Sequence, residues 1–170
     1  ILGLHNLRNY VAAYLSLYLL NIDVIKKDNF ILPRRRMTRY QYNRNILIDD
    51  YAHHPNEIIS LYESIRLLYP HNIYKYKVIF QSHTYSRTYK FKKSFKEVLK
   101  VFDDVYLKDI FSSSRENENK RLQKKLDLYF NEYKKYTNEC LLQIDGSKDE
   151  VWIFLGAGDT NLLIEEKKKN

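Results

Sequence analysis

The stretch Asn45-Ile46-Leu47-Ile48-Asp49-Asp50, running straight into Tyr51-Ala52-His53-His54-Pro55, decides how the rest of the chain is read. Three consecutive branched apolar residues ending in two acids suit a strand buried on both faces whose C-terminal end carries function. A polar turn closes the strand, and behind it Ile58, Leu61, Tyr62, Ile65 and Leu68 recur at helical spacing. Asn56 reads as the helix cap and Pro70 as its end. A buried strand followed by an amphipathic helix is the unit of a parallel α/β sheet.

Working outward toward the C-terminus, the alternation repeats. Lys77 to Gln81 reads as a strand and Ser86 to Phe102 as a helix. Val105 to Phe111 reads as a strand, Asn117 to Tyr136 as a long helix, and Glu139 to Ile144 as a strand. Val151 to Leu155 reads as a last strand, followed by Gly156-Ala157-Gly158-Asp159 and a short helix. The expected fold class is therefore α/β: a doubly wound, mostly parallel, Rossmann-like sheet with helices on both faces. Toward the N-terminus the pattern fails. Asn6 can cap a helix through Leu7, Val11, Ala12, Leu15, Tyr18 and Leu19, and Asn21 to Lys27 then breaks the periodicity. Residues 1–30 read as the end of a preceding domain and residues 31–170 as the domain proper. The chain opens Ile1-Leu2-Gly3 without an initiator Met, so a fragment is expected.

Composition removes several function classes. The 170 residues are 44% hydrophobic and 15% aromatic, enough for a packed core. The skew to 16 Tyr against 1 Trp, with 4 Gly and 3 Pro, reflects codon bias more than chemistry. A net charge of +8 raises the question of nucleic acid, but the aromatics fall at helix-core positions and do not interleave with Lys on one surface. No nucleic-acid partner is expected. The lone Cys140 excludes a disulfide framework and reads as a small buried apolar residue. No apolar run approaches the ~18 residues of a membrane span, and the chain reads as cytoplasmic.

In an open parallel sheet, ligands sit beyond the C-terminal strand ends. That rule gathers Asp49, Asp50, His53, His54, the segment Gln81 to Arg87 and the Gly156 to Asp159 loop along one edge. Two acids at a strand end can accept from a ribose diol or ligate a divalent ion; the plainer alternative is one Asp capping the turn. His53 and His54 can donate to phosphate or carboxylate, or simply pack. A zinc site of His53, His54 and His83 is disfavoured because adjacent His side chains diverge. His83 and Arg87 can face an anion near a helix N-terminus, against the plainer reading of Ser86 as a cap and Arg87 as solvated. Arg34-Arg35-Arg36 suits bidentate phosphate contact or a solvated turn. Gly156 and Gly158 allow close backbone approach to a ligand, or a tight turn. No G-x-x-x-x-G-K-[ST] loop and no nucleophile elbow occurs.

Taken in order, these segments resemble the Mur ligase family, and within it the L-alanine-adding member. Gly3-Leu4-His5-Asn6-Leu7-Arg8-Asn9 is similar to a G-x-H-N-x-x-N stretch, and Arg35-Arg36-Met37 to R-R-F. Asp49 to Pro55 resembles D-D-Y-[AG]-H-H-P, Phe80 to Thr88 resembles F-Q-P-H-x-Y-S-R-T, and Gly156 to Asp159 resembles G-A-G-D. The departures are Ser82 for Pro, Met37 for Phe, the missing Gly before the Arg run, and Ser112-Ser113-Ser114-Arg115-Glu116 as a loose echo of Y-P-A-R-E. The resemblance implies ATP-dependent ligation of L-alanine to UDP-N-acetylmuramate through an acyl-phosphate. It places Asn6 and Asn9 by the adenine, Arg36 near the phosphates and Asp50 on the ribose hydroxyls. His83 and Arg87 lie by the amino acid and the acyl-phosphate, with His53, His54, Gly156 and Gly158 on the substrate side. ATP and Mg2+ are the implied cofactors, the magnesium ligands lying in a part of such enzymes outside this chain, which is expected to be inactive alone. Alternatives are the ligase that recycles a tripeptide onto the same sugar nucleotide, and a non-catalytic nucleotide- or partner-binding module.

Overall fold

A computed structural model describes residues 4–22, 33–112, 116 and 118–169. Six strands form one sheet in the order β1-β2-β6-β3-β4-β5. They are β1 (Thr38–Tyr42), β2 (Asn45–Asp50), β3 (Lys75–Gln81), β4 (Asp104–Leu107), β5 (Lys134–Lys135) and β6 (Glu150–Gly156). The helices are α1 (Leu4–Leu19), α2 (Pro55–Leu68), α3 (Tyr85–Lys90), α4 (Lys92–Leu99), α5 (Lys120–Tyr129) and α6 (Thr160–Lys169). Every pairing is parallel except β1 with β2, a hairpin turned at Asn43 (φ +50°). The mostly parallel α/β sheet is as the sequence implies.

The central strands are apolar throughout because both their faces are covered. Period-2 alternation sends Ile46, Ile48, Val78, Phe80, Val151, Ile153 and Leu155 to one face, under α2, α4 and α5. It sends Leu47, Ile79, Trp152 and Phe154 to the other, under α6. Beyond the apolar part the same alternation still holds. Asp50 follows Ile46 and Ile48, while Asp49 follows Leu47, so the two acids leave the strand on opposite faces.

Several element readings need correction. Edge strand β1 was not expected; its register pairs Thr38 with Asp49 and so holds the chain after the Arg run against the β2 end. Glu139 to Ile144 is no strand but a 3-10 turn, Asn138–Gln143, whose Cys140 and Leu141 bury with Ile144 on the α6 face. Cys140 is buried and free. The expected helix from Ser86 to Phe102 is two, broken at Phe91, and the long helix shortens to α5 before β5. Asn117 lies outside the described residues, as do residues 23–32, which include the boundary read at 30/31 and part of the stretch read as breaking the first helix.

Two caps also differ. Asn6 does not cap α1 but sits inside its first turn. His54, not Asn56, caps α2: its Nδ1 accepts from Asn56 N at 3.3 Å, and Pro55 follows at the first helical position. Glu57 closes the box by accepting from His53 N and His54 N at 2.9 and 3.0 Å.

Candidate functional site

The residues singled out in the sequence meet at the C-terminal edge of the sheet, along two strand ends flanking β6. At the β2 end, Arg35 (φ +60°) and Met37 (φ +52°) are both left-handed. The two kinks send neighbouring arginines to different places. Arg35 turns to the α6 face, where its guanidinium donates to Gly158 O at 2.8 Å, to Gly156 O, and to Thr160 Oγ1 at 3.2 Å. It also meets Asp49 Oδ1 at 3.4 Å and lies 5.1 Å over the Tyr51 ring. Burial pushes the Asp49 carboxyl up from its ordinary value, and Arg35 works against that rise.

Arg36 goes the other way. It lines a cavity of 340 Å3 together with Asn9 of α1, Asp50, Ala52, and Asn56, Glu57, Ser60 and Leu61 on or beside α2. Asp50 is buried, accepting from Met37 N at 2.7 Å and Ala52 N at 2.8 Å. Three residues assigned to the nucleotide, Asn9, Arg36 and Asp50, thus share one cavity. Asn6, one turn before Asn9 on the same helix face, is buried and does not line it. Gly3 of the same motif lies outside the described residues.

The Asp49-Asp50 pair does not act as a pair, since one acid serves Arg35 and the other faces the cavity. Among the described residues no cluster of three His, Cys, Asp or Glu side chains can hold a metal ion.

At the β3 end, Ser82 is buried and its carbonyl accepts from Phe111 N at 3.0 Å, while Thr84 N donates to Phe111 O at 3.1 Å. Between them His83 stacks on Phe111, with 6.0 Å between ring centroids, and meets His53 edge-on at 5.6 Å. His53 in turn meets Tyr51 edge-on at 5.3 Å and holds the Tyr51 carbonyl through Nδ1 at 3.0 Å. An aromatic chain therefore joins the two strand ends. His83 Nδ1 is buried with no hydrogen-bond partner among the described residues. Burial, then the charges of His53 and Arg87, lower the His83 pKa. Arg87 stands one turn into α3, half-buried as a residue and with no ion pair among the described residues.

Three sequence readings resolve to packing or capping. Gly156 (φ +139°) would place a Cβ 2.2 Å from the Gln81 carbonyl oxygen, and Gly158 would place one 2.0 Å from Gln81 Oε1. The close approach they permit is to Gln81, whose amide holds Asp159 N and Asp109 O at 3.0 and 3.1 Å. His54 caps α2 and meets Phe91 edge-on, with 4.8 Å between ring centroids. Ser86 does not cap α3, whose first N–H groups go elsewhere. Sequence reasoning missed Arg35 and Tyr51 as organisers, though the Arg-Arg doublet was the available signal.

No protein-family model matches the sequence. Solved structures do match its shape. UDP-N-acetylmuramate–alanine ligase from Thermotoga maritima superposes on 99% of this chain and 39% of its own, with TM-score 0.69 and 22% identity. The fold is one the Mur ligases share. A murein peptide ligase from Psychrobacter arcticus matches 98% of this chain and 37% of its own (TM-score 0.62, 18% identity). The MurF ligase of Thermotoga maritima, solved in complex with ADP, matches 98% and 38% (TM-score 0.63, 16% identity). The chain thus spans about two fifths of each of these three structures. Among the described residues no helix is long and apolar enough to cross a membrane.

Proposed function

We propose that this chain forms the C-terminal part of an ATP-dependent Mur-type ligase that joins L-alanine to UDP-N-acetylmuramate. The observation that carries the reading is the shared cavity of Asn9, Arg36 and Asp50, linked through His53 to His83. In this reading residues 1–30 close a nucleotide-binding domain. The apolar stripe Leu7, Val11, Leu15 and Leu19, exposed here, supports it as a helix face that further protein would cover.

The chemistry then divides between the two strand ends. Arg36 meets the phosphates with a planar, permanently charged fork. The Asp50 carboxylate, which lines the cavity, accepts from the ribose hydroxyls, and Asn9, with Asn6 behind it, borders the base. At the other end Arg87 attracts the carboxylate of the amino acid or the acyl-phosphate. The amine must lose a proton to attack the acyl-phosphate carbon, after which the C–O bond to phosphate breaks. His83, kept neutral by burial, is in the protonation state to accept that proton. Oriented cationic side chains stabilise the oxyanion that forms meanwhile. The segment Gln81 to Thr88 favours alanine over the tripeptide-recycling activity.

The test is ADP release by the full product of the gene, given ATP, Mg2+ and UDP-N-acetylmuramate with L-alanine, glycine, L-serine or a tripeptide. Alanine-dependent release that falls at least tenfold in Arg36→Ala supports the proposal. Release that needs the tripeptide moves the chain to the recycling activity, and nucleotide binding without release makes it a binding module. Residues 1–170 alone should not turn over.

A further inference from the structure

The turn that presents His83 and Arg87 is not held by its own sequence. Thr84, at the N-cap position of α3, has φ +62° and makes no side-chain cap, so the first N–H groups of the helix need an outside partner. They find it about thirty residues on, at the residue that ends the loose Y-P-A-R-E echo. Glu116 accepts from Tyr85 N at 2.6 Å and from Ser86 N at 3.0 Å, one bond to each carboxylate oxygen. Ser113, Ser114 and Arg115 lie outside the described residues.

We infer that Glu116 is a positioning residue: its carboxylate fixes the start of α3 and thereby the places of His83 and Arg87. Three observations converge on it. The bonds are charge-assisted, and the 2.6 Å contact is at the short end for N–H to carboxylate. A left-handed Thr is strained and persists only where its surroundings over-determine it, which a two-pronged clamp does. The clamp also reaches His83 electrostatically. The groups facing that ring are His53, Arg87 and Glu116; the first two lower its pKa and Glu116 raises it. For Glu116 itself burial acts upward, but the N–H and hydroxyl of Ser86, then Tyr85 N and His83, bring its pKa down.

A consequence for the site follows. The amides at the start of α3 are taken by a carboxylate of the chain itself, so an anionic ligand is left to the side chains of His83 and Arg87. The Glu116 carboxylate, beyond β4, thus ties down the turn after β3. The inference depends on the proposed ligase activity only in giving His83 and Arg87 a substrate, and the experiment below needs neither substrate nor turnover.

The test uses the 170-residue chain, with amide exchange at Tyr85 and Ser86 and an NMR pH titration of the His83 ring. Glu116→Gln keeps an acceptor and removes the charge; Glu116→Ala removes both; Glu116→Asp shortens the reach. Exchange at the two amides should quicken at least tenfold in Glu116→Ala and less in Glu116→Gln, with α2 amides unchanged. The His83 midpoint should move down in Glu116→Gln and return toward the wild-type value in Glu116→Asp. If Glu116→Ala loses the fold, Glu116→Gln alone decides. Unchanged protection and an unmoved His83 midpoint in Glu116→Gln overturn the inference, and a change spread evenly over the whole chain overturns it as well.

Discussion

The β2 and β3 strand ends lie on either side of β6 at the same edge of the sheet, yet they are finished differently. At β2 the Arg35 guanidinium and the Asp50 carboxylate are tied down. Arg35 is shared among two carbonyls, a hydroxyl and a carboxylate, and Asp50 holds two backbone N–H groups. At β3 the groups with chemistry are left open: His83 Nδ1 has no partner and Arg87 no ion pair among the described residues, and the backbone between them is left-handed. A site that binds a rigid ligand gains from fixed groups, because ordering is complete before binding. A site that moves a proton needs a group whose bonds are not already spent. The contrast fits a nucleotide at one end and a reacting amine at the other.

That comparison can be broken most severely at the residue between the two ends. Gly156→Ala forces a Cβ into the Gln81 carbonyl at a φ suited to glycine, and should cost roughly 3 kcal/mol in urea unfolding. A loss below about 1 kcal/mol would mean that the two strand ends are not locked together. Next, Arg35→Lys keeps the charge but cannot serve the same spread of acceptors, and should cost about 2 kcal/mol. No loss would remove the claim that the β2 end is tied. The β3 end is sharpened by pH. His83 is held below the ordinary imidazole value of 6.5, so folding favours its neutral form. Its contribution is complete above pH 6.5 and fades as pH falls through the lower folded value. The stability difference between the wild type and His83→Gln should therefore be flat above pH 6.5 and shrink below it; a difference that grows on acidification reverses the assignment. The smallest effect is expected at Arg87→Ala, within about 0.5 kcal/mol in stability, because nothing described leans on that guanidinium.

What the sequence makes legible follows the same division. Strands β2 and β6 are readable because a strand covered on both faces is a continuous apolar run, as Ile46-Leu47-Ile48 and Val151 to Leu155 are. Edge strand β1 is not, although Tyr40 and Tyr42 alternate properly; half-exposed tyrosines among Arg and Gln look like a loop. Cys140-Leu141-Leu142 reads as a strand because three apolar residues carry no period, and the tight turn after Thr137 decides otherwise. The site residues were visible as types and positions. Their directions were not, because the divergence of Arg35 from Arg36 depends on two left-handed residues that are neither Gly nor Asn. The Glu116 clamp was hidden by distance along the chain, which no local pattern spans.

The alternation that parts Asp49 from Asp50, and the kinks that part Arg35 from Arg36, make this stretch sensitive to length more than to identity. Conservative replacements at Met37 or Tyr51 leave the phase intact. Removing or adding one residue between Arg35 and Thr38 would break the phase that sends Arg35 to the α6 turn and Arg36 to the cavity. Variation here is therefore expected as exchange of residues, while insertions and deletions collect in the outer loops, where no phase has to be kept.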